Sequence, residues 1–168
     1  MASSTNAFGA LQVNGDASLL VEGFSLSTTT QGNGLYVNRA WVAYKSMDFG
    51  STAINQIAGT DQAHVEIAGN YTWTGSMGCH WLVSDGASIF VENAATITAT
   101  TRVSAPAMNP GFACAQYPSA IVNDFTPTFA GAGVSSGLKC DAFLNGIVNG
   151  SSIYPGTSTG TSTGGQCN

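Results

Sequence analysis

Charge is what this chain has least of. Only Arg39, Lys45, Arg102 and Lys139 are basic, against nine acids, and charged residues make up 8% of the chain, where about 25% is usual. Four cations form no patch that could neutralise phosphates, which argues against nucleic-acid binding. Helical periodicity is absent too, so little or no helix is expected. No run approaches the roughly 18 apolar residues of a membrane span, and no basic stretch leads into an apolar one as in a secretory signal. Export on lysis or as part of a particle is therefore expected over secretion. The four cysteines, Cys79, Cys114, Cys140 and Cys167, contain no C-x-x-C pair, so zinc-ligand spacing is missing. G-x-S-x-G elbows, H-E-x-x-H pairs and phosphate-binding glycine loops are missing as well.

What remains is apolar and polar without charge. Apolar residues reach 43%, enough to bury a core, so the surface must be built from Ser, Thr, Asn, Gln and Gly. At 168 residues one domain with two tails is expected. The strongest pattern is a repeat: residues 112–123 lie over 138–149 at a spacing of 26 residues, bringing Cys114 onto Cys140, Tyr117 onto Phe143 and Ile121-Val122-Asn123 onto Ile147-Val148-Asn149. A looser third copy begins near Gly78, with Ile89 set on Ile121, and it requires an insertion in the 106–110 loop. Repetition at this period marks stacked supersecondary units. The expectation is a short all-β, right-handed parallel β-helix-like stack of three or four rungs, with Tyr117 over Phe143 and Ile121 over Ile147 as inward contacts. So few rungs leave ends and sides uncovered, which favours assembly as a homotrimer.

Along the chain, His64 to Thr74 reads as one strand with Val65, Ile67, Gly69, Tyr71 and Trp73 on its buried face. Leu11–Val13 and Leu19–Phe24, around Asn14-Gly15-Asp16, read as a hairpin, and Leu35–Val37 with Ala40–Tyr44 as paired strands. Three segments are expected: 1–34 for attachment, 35–153 as the β-helix-like domain, and 154–168 as a Gly/Thr/Ser tail that would be flexible alone. Cys114 and Cys140 are either small buried hydrophobes or a rung-to-rung disulfide, because adjacent strands lie about 4.8 Å apart. Cys167 is expected to be exposed.

From about Gln62 to Gln166 the chain resembles the C-terminal modules of bacteriophage tail fibres and tailspikes with a trimeric β-helical stem. The marks are Val65-Glu-Ile-Ala-Gly-Asn-Tyr-Thr-Trp-Thr-Gly75, Gly78-Cys-His-Trp81 followed by Ser88-Ile-Phe-Val91, and Ile153-Tyr-Pro-Gly156 with Ser162-Thr-Gly-Gly-Gln166. The resemblance implies a homotrimeric virion protein, a short tail fibre or spike component contacting the host surface. Its implied partners are other virion proteins, through the N-terminal segment, and a host glycan or appendage. A trimeric capsid or tail decoration without a receptor is the first alternative, and a β-helical polysaccharide-degrading enzyme the second.

For adhesion, exposed aromatics and amides matter, since sugars are held by ring stacking and hydrogen bonds. Tyr36, Asn38, Arg39, Trp41 and Tyr44 form the candidate patch; Tyr71, Trp73 and Trp81 form another, with Tyr71 and Trp73 read as core. For catalysis, the candidates are Glu66, Asp85, Glu92, Asp124, Asp141, His64 and His80, and His64 shares a strand face with Glu66. The acids are scattered and do not recur between rungs, so no enzyme, cofactor or metal site is expected.

Overall fold

The computed structural model describes residues 2–3, 8–92, 94–99, 103–104, 111–123, 125–131 and 134–168. Its strands stack in parallel into a β-solenoid of about six turns, with no α-helix among the described residues. Each coil runs through three faces. The first face carries Gly9–Asn14, Asn33–Asn38, Ile57–Thr60, Trp81–Val83, Gly111–Gln116 and Leu138–Phe143. The second carries Ser18–Glu22, Trp41–Lys45, His64–Ile67, Ser88–Val91, Ala120–Asn123 and Ile147–Val148. The third carries Ala2–Ser3, Ser25–Thr28, Asp48–Phe49, Tyr71–Trp73, Thr96–Ala99 and Thr128–Gly131. Between coils, Val103–Ser104 pairs with Val134–Ser136 in a separate small ladder.

Alternation decides which side chains point inward, and the parallel register stacks them into columns. On the second face Leu19, Val42, Val65, Ile89, Ile121 and Val148 stand in one column. On the first, Leu35, Ile57, Trp81, Ala113 and Cys140 do so, with small Ala113 accommodating the bulk of Trp81. Aromatic rings fill the axis: Tyr44, Phe49, Tyr71, Trp73, His80, Trp81, Phe112, Phe129 and Tyr154 form one contiguous set of edge and stacked contacts. Tyr154 closes that set beside Phe129, its single hydroxyl proton facing the Asn149 carbonyl at 2.8 Å and Asn123 Oδ1 at 3.1 Å.

Several expectations are corrected. The hairpin at residues 11–24 and the pair at 35–44 do not form: the two strands of each lie on different faces, those at 9–14 and 18–22 pairing with the following coil and those at 33–38 and 41–45 with the coils on either side. Residues 9–32 thus contribute a full coil, and the stack has about six turns where three or four were expected. His64 to Thr74 is two strands, His64–Ile67 and Tyr71–Trp73, around a corner at 68–70, although Val65, Ile67, Tyr71 and Trp73 are all buried. Ile89 does sit on Ile121. The insertion expected at 106–110 lies outside the described residues.

The repeat itself is shifted by one residue. Ala113, not Cys114, pairs with Cys140, and Ile121 pairs with Val148. A one-residue slip would place outward side chains over inward ones, so burial overrides the identity of the Ile-Val-Asn triplets. Tyr117 and Phe143 are consequently not core contacts; both are exposed at the corner.

The cysteine pairing follows from this register. Cys114 and Cys140 are not joined to one another: Cys79 bonds Cys114 and Cys140 bonds Cys167. Cys114 is aligned with Asp141 and faces away from the column that contains Cys140. Cys167 is half-buried, in an intrachain bridge. The tail is likewise built into the fold, with Thr161–Thr163 pairing on Leu138–Phe143 and Gln166–Cys167 on Ile147–Val148.

Candidate functional site

The corner between the first and second faces carries the outward chemistry. Its turns need a left-handed residue in every coil, and Gly15, Arg39, Asp61, Asp85, Tyr117 and Leu144 each have positive φ there. Glycine takes this conformation freely, whereas a side-chain residue does so at a cost of about 1 kcal/mol or more. Hydrogen bonds to the next coil hold the corners in place, among them Gly15 N–H to the Asn38 carbonyl at 3.0 Å and Gln62 N–H to the Asp85 carbonyl at 3.0 Å.

Four of the five expected patch residues gather at this corner. Tyr36 is half-buried and stacks on Phe8 at 5.1 Å, and its hydroxyl accepts from Thr60 Oγ1 at 3.0 Å. Asn38 donates to Thr60 Oγ1 at 3.1 Å, while Arg39 projects from the turn, exposed. Trp41 is 51% exposed and meets His64, one coil on, edge to face at 5.6 Å; His64 in turn stacks on Phe90 at 4.7 Å. A shallow groove of about 270 Å³ runs beside them, lined by Asp16, Ser18, Arg39, Trp41, Gln62 and His64. Tyr44 does not belong to this patch. Three residues from Trp41 on one strand, it points the other way and is fully buried among Phe49 and Tyr71.

No protein-family model, curated protein or solved structure matches this chain. The site must therefore be read from its own geometry. A second outward feature was not singled out in the sequence: a groove of about 470 Å³ where the second face turns into the third, with Phe24, Ser25, Asp48, Asn70, Thr72 and Thr98 among its walls. The Asp48 carboxylate accepts from Ser25 Oγ at 3.1 Å on one neighbouring strand and from Thr72 Oγ1 at 2.8 Å on the other. Its sequence signal is the alternation Ser25-Leu-Ser27, Thr72-Trp-Thr74 and Thr96-Ile-Thr98, which puts hydroxyls outward in rows. Together the grooves offer rings, amides, hydroxyls and single charges, the groups that hold a neutral polyhydroxylated ligand.

The titratable groups weighed for catalysis are spread over the coils. Glu66 stands between Ala43 and Phe90 on the outer second face, Asp85 accepts from Ser84 Oγ in its turn, and Asp141 lies between Cys114 and Thr161. Glu92 is half-buried just after Ser88–Val91. Asp124 lies outside the described residues. Among the described residues no three His, Cys, Asp or Glu side chains converge as a metal site requires.

His80 is not at the surface at all. It is fully buried, and burial pulls its pKa from 6.5 down to about 3, so the ring is neutral. The network fixes its tautomer. The Gln56 amide nitrogen donates to the Gly50 and Thr74 carbonyls at 2.9 and 3.0 Å, leaving Gln56 Oε1 to accept from His80 Nδ1. Nε2 then accepts from the Tyr71 hydroxyl at 2.6 Å, and that oxygen accepts from Trp81 Nε1 at 3.0 Å. Every polar atom of the ring is satisfied and none reaches solvent, so His80 is a structural crosslink between coils.

Proposed function

We propose that this protein is a structural and adhesive component of a phage virion, a short homotrimeric fibre or spike element that contacts the host surface through the outside of its solenoid. The observation that carries this reading is the corner of Asn38, Arg39 and Trp41 beside His64: an indole ring half in water, flanked by a cation and amides, on a scaffold whose interior is sealed. Such a ring offers a stacking face to a host glycan, with neighbouring polar groups setting orientation. Two disulfides within one small chain fit exposure on a particle outside the reducing cytosol. Trimer packing is supported by the centre of the outer second face, where Leu20, Ala43, Phe90 and Val122 are aligned around Glu66. Such a surface is more apolar than an isolated stack needs.

That same apolar column favours a second reading, capsid or tail decoration without a receptor. Antibody-gold labelling of intact particles separates the two, with label at the tail expected for adhesion and label over the head for decoration. Particles carrying Trp41→Ala are expected to adsorb to host cells about tenfold less well, equivalent to about 1.4 kcal/mol, with unchanged folding. Undiminished adsorption would remove the corner from the adhesive reading.

A further inference from the structure

We propose that the groove where the second face turns into the third binds an amine-bearing sugar, a hexosamine whose amino group is free and charged, with the Asp48 carboxylate holding the ammonium. This site is separate from the Trp41 corner and stands whether or not that corner touches a host glycan.

Asp48 creates the demand for a cation. Among the described residues it is the only charged residue in the strands of the third face. In register it stands between Ser25 and Thr72, and Thr72 stands beside Thr98. A hydroxyl at position 48 would continue this ladder, as Thr72 does against Thr98, without the desolvation cost of a half-buried carboxylate. No Lys, Arg or His among the described residues forms an ion pair with Asp48, and Lys45, three residues away, is paired with Glu22 at 3.2 Å. The two hydroxyls beside the carboxylate sharpen the demand. Ser25 Oγ donates to Oδ2 at 3.1 Å and Thr72 Oγ1 to Oδ1 at 2.8 Å, so both hydrogens are committed to Asp48 and all three groups can only accept from a ligand. Acceptors in a row, one coil apart, select a donor-only group. An ammonium, with three N–H donors and a positive charge, is that group, and the chain's net charge of −5 favours its approach.

The rest of the groove fits the rest of a sugar. Its volume of about 470 Å³ lies in the range of small-molecule sites. Buried Met47 and Tyr71 line it, and the Phe24 ring, 39% exposed, offers an apolar surface to the ring carbons. One coil on, Asn70 Oδ1 accepts from Thr96 N–H at 2.6 Å, leaving Nδ2 to donate to a ligand hydroxyl, with Thr98 in the same wall. Hydroxyls and an amide would hold a neutral sugar as well; Asp48 adds the selection for charge. A lysine side chain presented by a peptide would satisfy Asp48 but leave the amide and the hydroxyl row unused, which favours the sugar.

The test is a titration of the ¹⁵N-labelled full chain with glucosamine at slightly acidic pH, where the amine is charged, and in parallel with glucose and N-acetylglucosamine, which carry no charge. Glucosamine is expected to shift the amides of residues 23–25, 46–48 and 70–72 saturably, and the two neutral sugars to bind at least about tenfold more weakly. That preference is read on the wild-type chain, so it does not depend on any variant folding. Asp48→Asn should erase it, while Asp85→Asn, which removes a turn carboxylate that likewise accepts from a serine hydroxyl, should leave it unchanged. Equal binding of glucosamine and glucose, no shifts at these residues, or an unchanged preference in a folded Asp48→Asn chain would overturn the proposal. So would Nα-acetyl-lysinamide binding as tightly as glucosamine, which would assign the groove to a basic peptide.

Discussion

Two buried polar residues show how single side chains set the behaviour of this molecule. His80 is neutral in the fold down to about pH 3, whereas the unfolded chain takes a proton on it near 6.5. Between those values the unfolded state binds more protons, so this residue's contribution to stability falls as pH drops, by up to about 1.4 kcal/mol per pH unit. Urea denaturation between pH 7 and 4.5 should show that slope, and His80→Gln should flatten it; an unaltered slope would remove His80 as the cause. Asn55 links three coils: its backbone N–H and Nδ2 donate to Asn33 Oδ1 at 3.1 and 3.0 Å, and its Oδ1 accepts from Cys79 N–H at 2.9 Å. Asn55→Ala removes the acceptor of the Cys79 N–H and one of the two donors to Asn33 Oδ1, an expected loss of about 1–3 kcal/mol. Exposed Asn14→Ala should change stability by less than about 0.5 kcal/mol in the same denaturation experiment. Neither role was legible in the sequence, because no repeat or alternation marks His80, Asn33 or Asn55 as partners of another coil.

Strands and corners depend on one another here, since each strand is only two to six residues long. Gly75 illustrates the constraint, with φ at 79° and Ser51 so close that a Cβ would run into its backbone nitrogen. The tail is held by strand pairing on the sixth coil and by one crosslink. Cys140 and Cys167 are 27 residues apart, and closing a loop of that length is worth about 3–4 kcal/mol on chain-entropy grounds. Cys167→Ser is accordingly expected to lower stability by roughly that amount and to expose residues 155–168 to limited proteolysis. A tail that stays resistant would show that strand pairing alone holds it. The alternation of Val65, Ile67, Tyr71 and Trp73 was readable because inward positions keep their parity across the corner at 68–70; the corner itself left no apolar signature.

At the scale of the whole molecule, the proposed trimer has a direct check. Light scattering on the purified chain at micromolar concentration is expected to give about three times 17.1 kDa, and Phe90→Glu on the outer second face should shift it to monomer; a wild-type monomer would end the trimer proposal. Sparse charge, uncharged polar surface and a repeat near the C-terminus were enough to establish an all-β stack from the residues alone, because alternation and repetition are local properties. The number of coils, the one-residue shift in register and the cysteine partners were decided only in three dimensions. Parallel stacking ties residues 22–24 positions apart in the early coils, and chemically varied apolar residues occupy the same inward column without leaving a visible repeat. Burial selects among the registers that sequence identity leaves open, since a slip of one residue would turn the whole core outward.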